Sequence, residues 1–290
     1  MDKITGTGVA LITPFNEDFS IDFTSLKKLI NHQIEGGIDY LVVMGTTGES
    51  VVLNKQEKKQ IVDFCKKINA GRLPIILGLG SNNTFALVEE IKSTDFDGID
   101  GVLSVSPYYN KPTQDGIYLH YKMIAEVCPL PIILYNVPGR TASNITAETT
   151  LCLANDFDNI VAVKEASGDL QQIAEIIEKS PANFLVLSGD DGLTPKMIEM
   201  GGDGVITVIG QSHPQIFSDM VRAGLAGDFE KANQLHDKLN PIYEPLYIDG
   251  NPAGIKATLN IMGICKNVLR PPLVRVTEET YNNLKRFIEH

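Results

Sequence analysis

Asn159-Ile160-Val161-Ala162-Val163-Lys164 runs directly into Glu165-Ala166-Ser167-Gly168. Four successive apolar residues leave neither face of a strand polar, which is the pattern of a parallel strand covered on both sides. The run then ends on an ammonium group. Fully desolvating a lysine is costly unless the group is paired or loses its proton. Three readings fit: the side chain snorkels out of the strand end, it pairs with Glu165, or it is a neutral amine able to attack a carbonyl and form a Schiff base. Most unusual charges are structural and only some mark active sites, so the rest of the chain has to decide.

Runs of the same kind recur roughly every 25 to 35 residues. They lie at 8–12, 40–44, 74–77, 101–105, 131–135, 184–188 and 204–208, and with 160–164 they make eight. Between them the apolar spacing is helical. Leu26, Leu29, Ile30 and Ile34 follow an Asp22 cap, and Ile61, Phe64 and Ile68 follow Asn54 with Glu57 three residues on. Strand and helix alternating eight times without a composition break predict an α/β fold, the (β/α)8 TIM barrel with additional C-terminal helices. An open doubly wound sheet is the alternative, but no G-x-G-x-x-G follows the first run. The expected division is a barrel over 1–225 and a helical extension over 226–290. Helices at 229–239, 252–264 and 278–288 are expected to pack outside the barrel, at a subunit contact.

The 290 residues are 43% hydrophobic and 21% charged, as in an ordinary globular enzyme. The excess of 36 Asp+Glu over 25 Lys+Arg gives a net charge of -11, which opposes binding to nucleic acid or an anionic membrane. A small anionic ligand therefore needs a local cationic pocket. Cys65, Cys128, Cys152 and Cys265 form no CxxC pair and read as free thiols of a reducing cytosol. Met1-Asp2-Lys3-Ile4-Thr5-Gly6 has no apolar h-region, and no run approaches the roughly 18 apolar residues that span a bilayer, so a soluble cytoplasmic protein is expected. His32, His120, His213, His236 and His290 are far apart, and no metal site is expected.

In such a barrel the catalytic face is built from the C-terminal ends of the strands. The second run leads into Gly45-Thr46-Thr47-Gly48-Glu49-Ser50, a tight turn whose amides and hydroxyls suit a small carboxylate. The fourth ends in Ser106-Pro107-Tyr108-Tyr109-Asn110-Lys111-Pro112, and the fifth in Tyr135-Asn136-Val137-Pro138-Gly139-Arg140. The sixth delivers Lys164 and the seventh Ser188-Gly189-Asp190-Asp191, where the aspartates read better as a helix N-cap than as a metal pair. Each piece alone is ordinary: a turn, a packed tyrosine, a surface arginine. Together on one rim they are the parts needed for imine chemistry on a small keto acid, with Lys164 as nucleophile, a phenol to move protons, the Thr turn for one carboxylate and Arg140 for another.

At these residues the chain resembles the dihydrodipicolinate synthase (4-hydroxy-tetrahydrodipicolinate synthase) family, within the pyruvate-dependent class I aldolases that include N-acetylneuraminate lyase. The resemblance runs from Gly8-Val9-Ala10-Leu11-Ile12-Thr13-Pro14-Phe15 through the Gly45 to Ser50 turn and Tyr135-Asn136-Val137-Pro138 to Lys164-Glu165-Ala166. The Thr-Thr pair and Arg140 favour the synthases over the lyases. The resemblance implies condensation of pyruvate with L-aspartate 4-semialdehyde towards diaminopimelate and lysine. It implies a Schiff base on Lys164 and a proton relay of Tyr135, Thr46 and Tyr109, with Tyr109 reaching into a neighbouring subunit. Thr47 and the turn amides would take the pyruvate carboxylate and Arg140 that of the semialdehyde, while Gly189 and the Ile206 carbonyl would line the pocket. No cofactor is implied, and a homotetramer, a dimer of dimers, is.

Family members inhibited by lysine bind it at positions that here read Ser50, Val51, Lys55, Lys58, Asn82, Ala86 and Tyr108. Strongly regulated members carry two histidines and a glutamate where this chain has Lys55, Lys58 and Ala86, so weak or absent feedback inhibition is expected. Two rival functions remain: a sister aldolase acting on a sugar acid, which Arg140 argues against, and a catalytically silent barrel, which retention of every rim residue argues against.

Overall fold

Eight parallel strands close into one barrel in chain order, β1 pairing with both β2 and β8. They are β1 (Gly6–Ala10), β2 (Tyr40–Val43), β3 (Ile75–Gly78), β4 (Gly101–Val105), β5 (Ile132–Asn136), β6 (Ile160–Glu165), β7 (Leu185–Ser188) and β8 (Gly204–Thr207). This computed structural model describes residues 4–289. Of the residues singled out above, Met1 to Lys3 and His290 lie outside that range. The predicted barrel is the observed one, with boundaries moved by a residue or two. The first run shifts most. Its ladder begins at Gly6, paired with Gly204, and stops at Ala10, while Leu11 and Ile12 stay buried beyond the strand.

Helices α1 (Phe23–Glu35), α2 (Lys55–Asn69), α3 (Thr84–Ser93), α4 (Gln114–Ala125), the single turn α5 (Pro138–Thr141), α6 (Ala147–Asp156), α7 (Leu170–Lys179), α8 (Thr194–Glu199) and α9 (Pro214–Leu225) connect the strands and cover their outer face. Local chemistry starts them where expected. Asp22 accepts from the Ser25 amide, and Asn54 and Glu57 form a reciprocal capping box that satisfies two orphan N–H groups of α2. Leu26, Leu29 and Ile30 are the buried stripe of α1, and Ile61 and Cys65 that of α2.

Three helices follow: α10 (Phe229–Tyr247), α11 (Ala253–Ile261) and α12 (Glu278–Glu289). The first runs eight residues past its expected end at 239, through Pro241 and Pro245. α10 packs on α9 and α8, and α12 on α10 and α11. α11 packs on α10 and α12, outside the strands, and its first turn also reaches the loops at the strand ends, as described below.

Inside the barrel, Ala10, Tyr40, Val42, Ile76, Leu103, Ile133, Ala162, Leu187 and Ile206 form one apolar cluster. Tyr40 dominates it. Its hydroxyl donates to the Val205 carbonyl at 3.1 Å, and burial raises its pKa. The ring occupies space that a side chain at Gly8 would claim, since a Cβ there would lie 2.1 Å from a ring carbon. Gly8→Val is therefore expected to destabilise the fold by about 3 kcal/mol through overpacking, read as a lowered urea midpoint at unchanged m-value.

Burial holds two imidazoles towards the neutral form, fully at His120 and partly at His213. His120 on α4 bonds Thr84 Oγ1 through Nδ1 at 2.8 Å, and burial pushes it down to about 4. His213 packs edge-on against Phe287 and is pushed down to about 4 by burial and then by His32. Unfolded imidazoles take up protons near pH 6.5, so stability is full above that pH and falls as the pH drops towards 4, by up to about 1.4 kcal/mol per pH unit for each histidine. His120→Leu should lose about 2 kcal/mol less than the wild type between pH 7 and pH 5, measured by urea unfolding at both pH values.

Candidate active site

Tyr135 and Lys164 are direct register partners on β5 and β6, and both enter the top of the barrel interior. Lys164 is 5% exposed, with Nζ 4.3 Å from the centroid of the Tyr135 ring, so the ammonium faces π-electron density at a desolvated site. Snorkelling is thus ruled out by burial. Pairing with Glu165 is ruled out by geometry, because the next residue of a strand faces the other way. Glu165 accepts from Asn136 Nδ2 at 3.1 and 3.0 Å, from the Ser167 amide at 2.7 Å and from Gln172 Nε2 at 3.0 Å. Its burial raises the carboxyl pKa against those bonds. Ile206, on β8, is buried in the same interior cluster. Gly189 follows β7, and a Cβ there would lie 3.0 Å from Lys164 Cε and 2.7 Å from the Ala166 Cβ. Glycine leaves the room that the lysine occupies.

The Gly45 to Ser50 segment folds as a tight helical turn over Thr46–Gly48 followed by Glu49 in the left-handed region at φ 52. Thr13 Oγ1 donates to the Gly48 carbonyl at 2.7 Å, tying the turn to the end of β1. Thr47 is buried and Thr46 exposed. Arg140 lies at the end of α5 with its guanidinium exposed.

Asn251, just before α11, joins these two places. Its Nδ2 donates to Thr47 Oγ1 at 2.9 Å, and its carbonyl accepts from Arg140 Nη2 at 3.2 Å. Its own Oδ1 is buried without a hydrogen-bond partner. Sequence reading missed Asn251, which in an Asn-Pro dipeptide signals only a turn. It missed Lys256 as well, which pairs with Glu49 from α11.

The two aspartates after β7 divide. Asp190 accepts from the Gly192 and Leu193 amides at 2.9 and 3.2 Å and so closes the turn before α8, not the helix itself, whose N-cap position is Leu193 without a side-chain cap. Asp191 is no cap. Its carboxylate accepts from the Val208 and Ile209 amides beyond β8 and from the Tyr247 hydroxyl at 2.5 Å, stapling the ends of β7 and β8 to α10. Burial raises its pKa. Among the described residues no three His, Cys, Asp or Glu side chains are grouped to hold a metal ion, and no helix is long and apolar enough to cross a membrane. All four cysteines are free.

The chain does not bring Tyr109 to Tyr135. Tyr109 is 88% exposed and sits at φ 74, a conformation rare for an aromatic residue. Of the expected effector positions, Asn82 and Tyr108 meet, Asn82 Nδ2 donating to the Tyr108 carbonyl at 3.3 Å. Ser50 and Val51 lead into α2, which carries Lys55 and Lys58, and Ala86 lies on α3; Val51, Lys55 and Ala86 are exposed.

A buried amine beside a phenol, on the barrel face that also carries a turn rich in amides and hydroxyls, is an arrangement suited to carbonyl chemistry on a small anion. A sequence model described as the dihydrodipicolinate synthetase family matches residues 3–290. A 4-hydroxy-tetrahydrodipicolinate synthase of Parabacteroides distasonis is 52% identical over 286 residues, covering 99% of this chain and 96% of the relative. One of Flavobacterium psychrophilum is 51% identical over 287 residues, covering 99% and 98%. Among solved structures, the dihydrodipicolinate synthase of Thermotoga maritima superposes with a TM-score of 0.96 at 39% identity over 99% of this chain and 98% of that one. The chloride inhibited enzyme of Acinetobacter baumannii complexed with pyruvate gives 0.95 at 37% identity over 99% and 98%. With the closed barrel, the rim residues and relatives matched along their whole length, the chain belongs to the dihydrodipicolinate synthetase family.

Proposed function

We propose that this chain is a 4-hydroxy-tetrahydrodipicolinate synthase that condenses pyruvate with L-aspartate 4-semialdehyde through a Schiff base on Lys164, on the route to diaminopimelate and lysine. The observation that carries this reading is the Lys164 amine, buried over the Tyr135 ring with its carboxylate neighbour Glu165 turned away. Nζ attacks C2 of pyruvate, the oxygen leaves as water, and loss of a C3 proton gives an enamine that adds to the aldehyde. The amine of the semialdehyde then displaces Nζ at C2, which closes the ring and frees the lysine.

Tyr135 moves protons at the reacting carbonyl, and Thr46 and Tyr109 pass them to solvent. Tyr109 serves the site of a neighbouring subunit. Its outward ring and left-handed backbone support that role, as would the proposed homotetramer, a dimer of dimers working in the cytoplasm. Thr47 and the turn amides bind the pyruvate carboxylate, and Gly189 and the Ile206 carbonyl line the pocket. Arg140 spends one N–H on Asn251 and offers the rest of its fork to the semialdehyde carboxylate, a group that a sugar acceptor lacks at that position. The helical extension of 226–290 supports the rim of the 1–225 barrel through Asn251.

Incubation with pyruvate followed by borohydride should leave a pyruvate-derived mass on the peptide containing Lys164; trapping elsewhere, or none, overturns the mechanism. Arg140→Ala should raise KM for the semialdehyde at least about tenfold, the worth of a lost charge-assisted pair, while half-saturation by pyruvate stays within about twofold. With Lys55, Lys58 and Ala86 at the effector positions, L-lysine should inhibit only above about 1 mM, since two cations repel its ammonium and no carboxylate offsets them. A sub-millimolar inhibition constant would sink that expectation.

A further inference from the structure

Behind the Thr46–Gly48 turn lies a buried ion pair that the chemistry above does not use. Lys256 Nζ donates to Glu49 Oε1 and, at 2.9 Å, to the Val268 carbonyl. The second Glu49 oxygen accepts from the Arg270 amide at 3.1 Å, and the Arg270 guanidinium grips Glu57 at the start of α2 with bonds of 2.9 and 2.6 Å. Lys256 and Arg270 both stand over the Phe15 ring, at 4.2 and 4.5 Å from its centroid. The side chains of Lys256 and Glu49 are 0% and 1% exposed.

Stability is a poor reason for such a pair. Taking two charges out of water offsets most of their attraction, and apolar side chains of the same volume commonly do as well. What a fully satisfied buried polar cluster does supply is a single geometry, because its donors and acceptors can be matched in only one way. The geometry fixed here belongs to the turn. Glu49 adopts φ 52, which a non-glycine residue holds only when its surroundings over-determine it. Five residues before Lys256, Asn251 bonds Thr47 Oγ1, so residues 251–256 hold the same turn at two points, one on either side of Gly48.

We propose that Lys256 is a positioning residue for the keto-acid carboxylate site: acting through Glu49, it holds the Thr46–Gly48 turn so that the Thr47 hydroxyl and the turn amides face the pyruvate carboxylate. The proposal rests on the Schiff-base reading given above. Lys256 itself touches no substrate.

The pyruvate concentration that half-saturates borohydride trapping on Lys164 reports this site without the condensation step. Glu49→Gln keeps the size of the side chain and an acceptor for Lys256. The double variant Glu49→Gln, Lys256→Met removes the grip while leaving no unpaired buried charge. Circular dichroism and thermal unfolding check that each is folded. Glu49→Gln is expected to half-saturate within threefold of the wild type. The double variant should need about tenfold more pyruvate yet reach the same final yield of trapped Lys164. A folded double variant within threefold of the wild type overturns the proposal, as does a loss in Glu49→Gln equal to that of the double variant, since the charge and not the grip of Lys256 would then be acting. Should the double variant not fold, Glu49→Leu, Lys256→Met takes its place under the same threefold threshold, again with no unpaired buried charge. A wild type that traps no pyruvate overturns the site reading and this proposal together, an outcome separate from a wild type that traps and a variant that matches it.

Discussion

On β6 the side chains of Lys164 and Glu165 leave the strand on opposite faces, and the two faces lead to different environments. Inward lies the mouth of a closed barrel, where the neighbouring strand presents the Tyr135 ring and the loop after β7 presents the backbone of Gly189. Outward lies a polar pocket under α7, where Asn136, Ser167 and Gln172 meet the carboxylate. A shift of one residue would exchange them, placing the carboxylate at the mouth and the lysine among N–H donors from which an ammonium cannot accept. Because eight strands close without an edge, the register is held from both sides, and a side chain at a strand end has little freedom to drift.

That rigidity ends at the loops, and the C-terminal segment takes over there. Thr47 and Arg140 belong to loops after β2 and β5 and have no direct bond to each other; both are tied to Asn251. Asp191 joins β7 to the end of β8 and to Tyr247 of α10, and Lys256 meets Glu49 inside the protein. Apart from the bond between Asp191 and the end of β8, each links one strand-end loop to a residue beyond 245. A set of helices that resembles external decoration is therefore part of how the rim keeps its shape.

Much of the fold was legible because its signals are local. Apolar runs with no polar face, capping residues such as Asn54 with Glu57, and their eightfold alternation need no coordinates to interpret. The strand-end residues were legible for the same reason, since in a barrel the C-terminal end of every strand belongs to one face. Asn251, Lys256 and the role of Asp191 were not. Their partners lie 204, 207 and 17 residues away, and nothing in the residue types announces the pairing. Lys256 stands in α11 among mostly apolar residues and reads as a solvated helix charge until its Nζ is found against Glu49.

The sequence by itself determined the barrel, the rim and the place of the lysine at a strand end, because these depend on periodicity, strand polarity and the chemistry of single side chains. Only the tertiary structure removed two of the three readings of Lys164, snorkelling and pairing with Glu165, since burial and the direction of a neighbouring carboxylate are properties of packing. It also decided what holds the turn over Thr46–Gly48 in place. Hydrogen bonds between loops distant in the chain depend on where the folded elements bring their ends, and a linear sequence carries no record of that distance.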